Sequence, residues 1–147
     1  MTIALREINR DNWRECIRLQ VAPEQEHFVA SNVYSLAQAK AQPECVPLAV
    51  YANAQMVGFV MYALDADEHK YWIYRLMIAA PFQGQGYGRA AMQEVLELLR
   101  DKPDCLEVVI SYETDNTAAA RLYASVGFCA TGEIIDGEVV ARLRLTP

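Results

Sequence analysis

Residues 83–89 read Gln83-Gly84-Gln85-Gly86-Tyr87-Gly88-Arg89, three glycines alternating with other residues and closed by a cation. The run follows an apolar segment, Tyr71–Ile78, and opens one with helical periodicity, Ala90–Arg100. A glycine-rich turn between a strand and a helix aims several backbone N–H groups into one concavity, and the helix start adds the positive end of its dipole. The chemistry implied is the binding of an anion, above all a phosphate. A nucleotide P-loop needs Lys and then Ser or Thr after its last glycine, where this chain has Arg89 and Ala90. The dinucleotide fingerprint G-x-G-x-x-G finds Arg89 where its third glycine belongs, and its turn should lie near the start of a βαβ unit rather than past mid-chain. The spacing that fits is Gln-x-x-Gly-x-Gly, carried by Gln83, Gly86 and Gly88.

A second constellation lies further on: Asn116-Thr117-Ala118-Ala119-Ala120-Arg121-Leu122-Tyr123, followed by Gly127-Phe128. Asn116 and Tyr123 are seven apart, so on a helix they share one face about two turns apart. Taken together, the glycine loop and this Asn, alanine-rich turn, Tyr and Gly-Phe pattern resemble the GNAT superfamily of N-acetyltransferases, over most of the chain. Within it, Glu24–Asn32, Tyr71–Ile78 and Gly86–Met92 look like bacterial spermine/spermidine acetyltransferases of the small, diamine-acetyltransferase type.

The resemblance implies one α/β domain over residues 1–147, a GNAT-like mixed sheet of about six to seven strands flanked by about four helices. It implies acetyl-coenzyme A as donor cosubstrate, no metal, and direct attack in a ternary complex by a primary amine of a small polycation such as spermidine or spermine. Backbone N–H groups of Gly84, Gln85, Gly86, Tyr87 and Gly88 would hold the pyrophosphate, with Gln83 and Arg89 assisting, and Arg121 is a further basic candidate. In the superfamily a bulge in the strand before the loop frees a backbone N–H for the acetyl oxygen. Met77 and Ile78 match those positions and would also pair with pantetheine amides. Asn116 would touch the pantetheine arm. Tyr123 would protonate the leaving thiolate, since a thiol near pKa 8.5 and a phenol near 10 make a plausible acid pair. An alkylamine with a pKa about 10.4 is neutral in only about one molecule in 2500 at pH 7, so a carboxylate or water chain must take its proton. Glu24, Glu26 and Asp65, on loops that the superfamily places near the acceptor cleft, and Glu113 at a strand end, are candidates, and solvated surface charge is the competing reading of each. Tyr34, Tyr74 and Trp72 could line an aliphatic channel or simply pack the core.

The elements that must position these groups follow from patterning. Ile3–Ile8 reads as a strand, residues 9–12 as a cap, and Trp13 to Gln20 as a helix broken by Pro23. Phe28–Ala41 has helical composition with Val29, Val33, Leu36 and Ala37 on one face, before Pro43 and Pro47 interrupt. Leu48–Ala52 and Met56–Leu64 form a hairpin about Asn53-Ala54, and 65–70 is a charged loop before the strand Tyr71–Ile78. After the glycine loop, Met92, Val95, Leu96 and Leu99 mark a helix ended by Lys102-Pro103, and Leu106–Tyr112 reads as a buried strand. Asp115 or Asn116 caps a helix to Ser125 with Gly127 beyond its end, and Asp136-Gly137 turns a final hairpin.

Composition narrows the field further. The 147 residues, 53% hydrophobic and 22% charged, suit a single compact domain with a sizeable core. A net charge of −6 argues against nucleic acid and is compatible with a cationic substrate. No apolar run approaches the length of a membrane span, and residues 1–10 lack a signal-peptide core, which points to the cytoplasm and no membrane partner. Cys16, Cys45, Cys105 and Cys129 read as reduced thiols, and His27 and His69 are too far apart to suggest a metal site. Dimers are common among relatives, and the final hairpin offers an edge. Three functional classes stay open at this point: acetyl transfer to a polyamine or to another amine (aminoglycoside, amino acid or protein), a non-catalytic acetyl-coenzyme A sensor, and a nucleotide-binding regulatory domain.

Overall fold

A computed structural model describes residues 2–103 and 105–145. In chain order the elements are β1 (Ile3–Glu7), α1 (Trp13–Arg18), α2 (Asn32–Ala41), β2 (Cys45–Ala52), β3 (Gln55–Asp65), β4 (Lys70–Ile78), α3 (Tyr87–Arg100), β5 (Glu107–Glu113), α4 (Thr117–Ser125), β6 (Cys129–Ile135) and β7 (Glu138–Arg144). Short 3₁₀ turns occupy Pro23–Gln25 and Ala80–Phe82. The strands form one sheet of seven, ordered β1-β2-β3-β4-β5-β7-β6. Every neighbouring pair is antiparallel except β4 and β5, which run parallel and are joined through α3. The α/β architecture, strand number and helix number expected from the resemblance are those observed.

Side-chain alternation divides the core into two layers. Val50, Val60, Tyr62, Ile73, Val108 and Ile110 face α3 and α4, meeting Met92, Val95, Leu96, Leu99 and Tyr123. Ala49, Tyr51, Phe59, Met61 and Met77 face the other way, toward Cys16 of α1 and Leu36 and Ala39 of α2. Because β3 is covered on both faces, its interior is apolar without a break, the pattern of a central strand. Turn chemistry closes the hairpins: Asn53 takes φ 56°, and Asp136 and Gly137 take φ 51° and 81°, the doubly positive turn that Asp-Gly favours. Cys16 and Cys105 are buried free thiols, each pushed up by burial to about 11, which fits inert packing rather than chemistry.

Three local expectations are corrected. The second helix begins at Asn32, not Phe28, because the Ser31 side chain caps it by accepting the Tyr34 N–H at 3.1 Å. Its inward face is Asn32 and Ser35, with Leu36 and Ala39 half-buried, while Val33 is 55% exposed. Asn32 Nδ2 donates to the Cys16 carbonyl at 2.8 Å and Ser35 Oγ returns to the Ser31 carbonyl, so small hydrogen-bonded residues let α2 close on α1. Pro47 does not interrupt but lies within β2, paired with Met61 one residue beyond Leu48, where the pairing with β1 ends at Glu7. No neighbour on that side requires its missing N–H.

Candidate functional site

The site is built where the sheet comes apart. Parallel pairing of β4 with β5 covers only Lys70↔Glu107 through Ile73↔Ile110. Beyond it, β4 continues against β3 alone and β5 against β7 alone, so the two strands diverge and leave a wedge. The divergence starts at a β-bulge: Met61 pairs with Arg75 and Tyr62 with Ile73, leaving Tyr74 as the extra residue. The bulge expected around Met77 and Ile78 therefore sits earlier, and those two residues belong to the splayed half it creates.

That half carries unpaired backbone groups. The Ala79 N–H donates to the Val57 carbonyl on β3, whereas the Ile78 carbonyl turns the other way and accepts Gln83 Nε2 at 2.8 Å. By strand alternation, the N–H groups of Leu76 and Ile78 face the wedge. The Met77 side chain is buried on the opposite face with α1 and α2, within 4.0 Å of Asn32. Close approach of the strands here depends on Gly58, opposite Ile78, where a Cβ would fall 2.4 Å from the Met77 carbonyl oxygen.

A cavity of about 340 Å³ fills the wedge. One wall is the unbroken run Ile73–Ile78, the other Ile110, Ser111 and Tyr112, and the stretch between α1 and α2 supplies Val21, Gln25, Phe28 and Val29. Gln83, Gly84, Gly86, Tyr87 and Gly88 close one end, with Asn116, Ala118, Leu122 and Tyr123 beside them. Gly84 and Gly86 adopt φ 78° and 86°, and Gly86 caps α3. The first intrahelical bond is Ala90 N–H to the Gly86 carbonyl, so the N–H groups of Gly86, Tyr87, Gly88 and Arg89 lack partners among the described residues. Four such donors at the start of a fourteen-residue helix make an anion cradle.

Gln83 has a bracing position. Its Nε2 donates to both Gln25 Oε1 and the Ile78 carbonyl at 2.8 Å, and Gln25 Oε1 also accepts the Ala22 N–H at 3.1 Å. One amide thus ties the end of β4, the glycine loop and the 22–28 segment together. Gln83→Ala is expected to lower stability by about 1–3 kcal/mol and loosen the loop, seen as a lower melting temperature and severalfold weaker anion-ligand binding in calorimetry. A variant that melts and binds like the wild type would rule the brace out.

Asn116 caps α4 by accepting the Ala119 N–H at 3.2 Å on Oδ1, and its side chain still lines the cavity. Tyr123 is 8% exposed, held between Tyr112 and Phe128 at ring-centroid separations of 5.5 and 6.0 Å. Burial, and to a lesser extent Tyr112, push its phenol well above the ordinary tyrosine value. Its hydroxyl makes no hydrogen bond among the described residues, so a protonated donor faces the wedge without a resident partner. Tyr74, at the bulge, is also raised, first by burial and then by Cys45, Glu44 and Asp65, with Arg75 opposing.

Not every candidate residue meets at this cavity. Gln85 and Arg89 stand outside its lining, with Arg89 reaching the Ser125 carbonyl at 3.5 Å and Arg121 exposed on α4. Glu24 lies exposed in the 3₁₀ turn, Asp65 ends β3 and accepts the Glu68 N–H, and Glu113 ends β5 opposite Glu138. Glu26 borders a separate, adjoining cavity. Tyr34 is 62% exposed beneath Arg75, and the Trp72 ring lies beside Lys70. His27 pairs with Asp115 at 3.4 Å, bridging the 22–28 segment to the loop before α4. No group suited to hold a metal occurs among the described residues, and no helix there is long and apolar enough to cross a membrane. Unforeseen participants are Gln25, Arg75, Leu76, Tyr112 and Gly58. Of these only Gly58 had a signal, a glycine inside an apolar strand.

Comparison with known proteins adds three findings. The family model described as "Acetyltransferase (GNAT) family" matches residues 3–128. The spermine/spermidine N(1)-acetyltransferase of Bacillus subtilis (strain 168) is 29% identical over 147 residues, covering 95% of this chain and 97% of that one. Among solved structures, an aminoglycoside acetyltransferase in complex with coenzyme A superposes with a TM-score of 0.83 at 18% identity, over 97% of this chain and 95% of that chain.

Proposed function

The chain belongs to the GNAT acetyltransferase family, and on that premise we propose that it transfers acetyl from acetyl-coenzyme A to a primary amine of a small polycation such as spermidine or spermine. The observation that carries this reading is the wedge itself: free strand N–H groups, an anion cradle at one end and a buried phenol face one cavity. The pyrophosphate would sit on the N–H groups of Gly86–Arg89, with the Arg89 side chain, in the first turn of the same helix, adding charge. Pantetheine amides would extend β4 by pairing at Leu76 and Ile78, which brings the thioester down the wedge toward the bulge, with Asn116 along the arm. A strand N–H there polarises the acetyl carbonyl as charge gathers on its oxygen.

The neutral amine attacks the carbonyl carbon, the C–S bond breaks, and Tyr123 gives its proton to the departing sulfur while water or a carboxylate takes the amine's proton. The low-polarity site that raises the phenol raises the thiolate's basicity as well, so the transfer stays matched. The polycation assignment is supported by the name of the Bacillus relative and by the charge of −6. A cytoplasmic location belongs to the same reading, and so does a homodimer through the β6 edge.

The test is thiol release from acetyl-coenzyme A against spermine, spermidine, putrescine, aminoglycosides, amino acids and a lysine peptide. Spermidine and spermine are expected to give the highest kcat/KM. If they give no rate above hydrolysis while another amine does, the polyamine assignment falls and acetyl transfer stands. Tight ATP binding with weak coenzyme A binding would defeat both.

A further inference from the structure

Beside the wedge lies a second cavity of about 220 Å³, walled by Leu19, Gln20 and Val21 on one side and by Glu26, Ser31 and Asn32 on another. It shares Val21, Val29 and Met77 with the first, so the two adjoin at three apolar residues. Its polar groups are mainly acceptors. Asn32 is 3% exposed, and its Nδ2 donates to the Cys16 carbonyl at 2.8 Å. A carbonyl can only accept, so this bond fixes the amide's orientation and leaves Oδ1 as an acceptor with no partner among the described residues. Glu26 has no cationic partner among the described residues, and neither Lys nor Arg lines this cavity. The start of α2 would favour an anion, but the Ser31 Oγ already accepts the Tyr34 N–H, and Glu26 opposes negative charge.

We propose that this second cavity receives the far ammonium group of a linear diamine or polyamine whose near amine is acetylated in the wedge. The proposal rests on the polyamine reading above and deepens it. Glu26 supplies charge, Asn32 Oδ1 supplies an oriented acceptor, and Val21, Val29 and Met77 form an apolar collar that suits methylenes. Arg75, the one Lys or Arg lining the wedge among the described residues, turns its side chain toward α2. Its guanidinium donates to the Tyr74 carbonyl at 3.0 Å and to Gln38 Oε1 at 2.8 Å, and lies 5.7 Å from the centre of the Tyr34 ring. The consequence is selection by length and charge: an acceptor needs a second cation at the right reach, and a monoamine forfeits the second site.

Steady-state kinetics with spermidine, putrescine and butylamine on the wild type, Glu26→Gln and Glu26→Lys test this. Glu26 is exposed and its side chain makes no hydrogen bond among the described residues, so melting temperature and coenzyme affinity are expected to stay unchanged. Glu26→Gln should raise the spermidine KM by about tenfold or more with kcat within about twofold, leave butylamine kcat/KM unaltered, and be surpassed by Glu26→Lys. An unchanged spermidine KM, or an equal loss with butylamine, overturns the proposal while the polyamine reading survives. If the wild type acetylates neither spermidine nor putrescine but accepts another amine, the polyamine reading fails and takes this site with it.

Discussion

Tyr123→Phe is expected to lower turnover at least about tenfold, roughly 1.4 kcal/mol in the barrier, while leaving coenzyme affinity nearly intact. The substitution removes one hydroxyl and keeps the ring that packs between Tyr112 and Phe128. No hydrogen bond among the described residues is lost, so the folded state should not be penalised. What disappears is the buried phenol that faces the wedge between the strands. Because burial holds that phenol above its ordinary value, it stays protonated through the assay range. Rising pH should therefore increase the wild-type rate by deprotonating the amine, with no loss from Tyr123 ionising below about pH 10. Stopped-flow measurement of thiol release with calorimetric coenzyme binding separates the two effects. Equal turnover in the variant would remove Tyr123 from the chemistry.

Much of this site could be read from residue types because its parts obey local rules. The glycine loop needs positive φ at Gly84 and Gly86, α3 needs its apolar spacing, and the final turn needs Asp136-Gly137; each rule acts over a few residues. The parts that escaped depend on long-range register. Whether a strand bulges at Tyr74 or near Met77 is decided by pairing with β3, where Met61 takes Arg75 and Tyr62 takes Ile73, and no residue at either position announces it. Likewise, the inward face of α2 was hidden because Asn32 and Ser35 are polar and look solvent-facing. The Asn32 partner, the Cys16 carbonyl, is set by how α2 lies on α1, while Ser35 turns back to the Ser31 carbonyl at the start of its own helix. The bracing bond between Gln83 and Gln25 spans 58 residues and leaves no pattern at all. Carboxylates were the weakest inference for the same reason, since charge alone does not tell which loop folds over the wedge.

Gly58→Ala should cost about 1–3 kcal/mol of stability and weaken coenzyme binding by about tenfold, although the residue lines neither cavity. The added Cβ would lie 2.4 Å from the Met77 carbonyl oxygen and 2.8 Å from Ile78 Cδ1. The side chain can turn away but the carbonyl cannot, so β4 must shift outward from β3 at the residues whose N–H groups face the wedge. Gly88→Ala is the informative contrast. A Cβ there meets Leu122 Cδ2 at 3.6 Å and Ile78 Cγ1 at 3.8 Å, ordinary contacts, and Ala is the better helix former. Gly88→Ala should therefore melt no lower than the wild type, and any loss should fall on the pyrophosphate end of the ligand alone. Thermal melts and calorimetry with coenzyme A and with its truncated pantetheine arm distinguish the two: Gly58→Ala weakens both ligands, Gly88→Ala only the phosphorylated one. Wild-type melting and binding in Gly58→Ala would mean that the splayed strand is more yielding than its contacts imply, and that the wedge does not rely on strand-to-strand closeness for its shape.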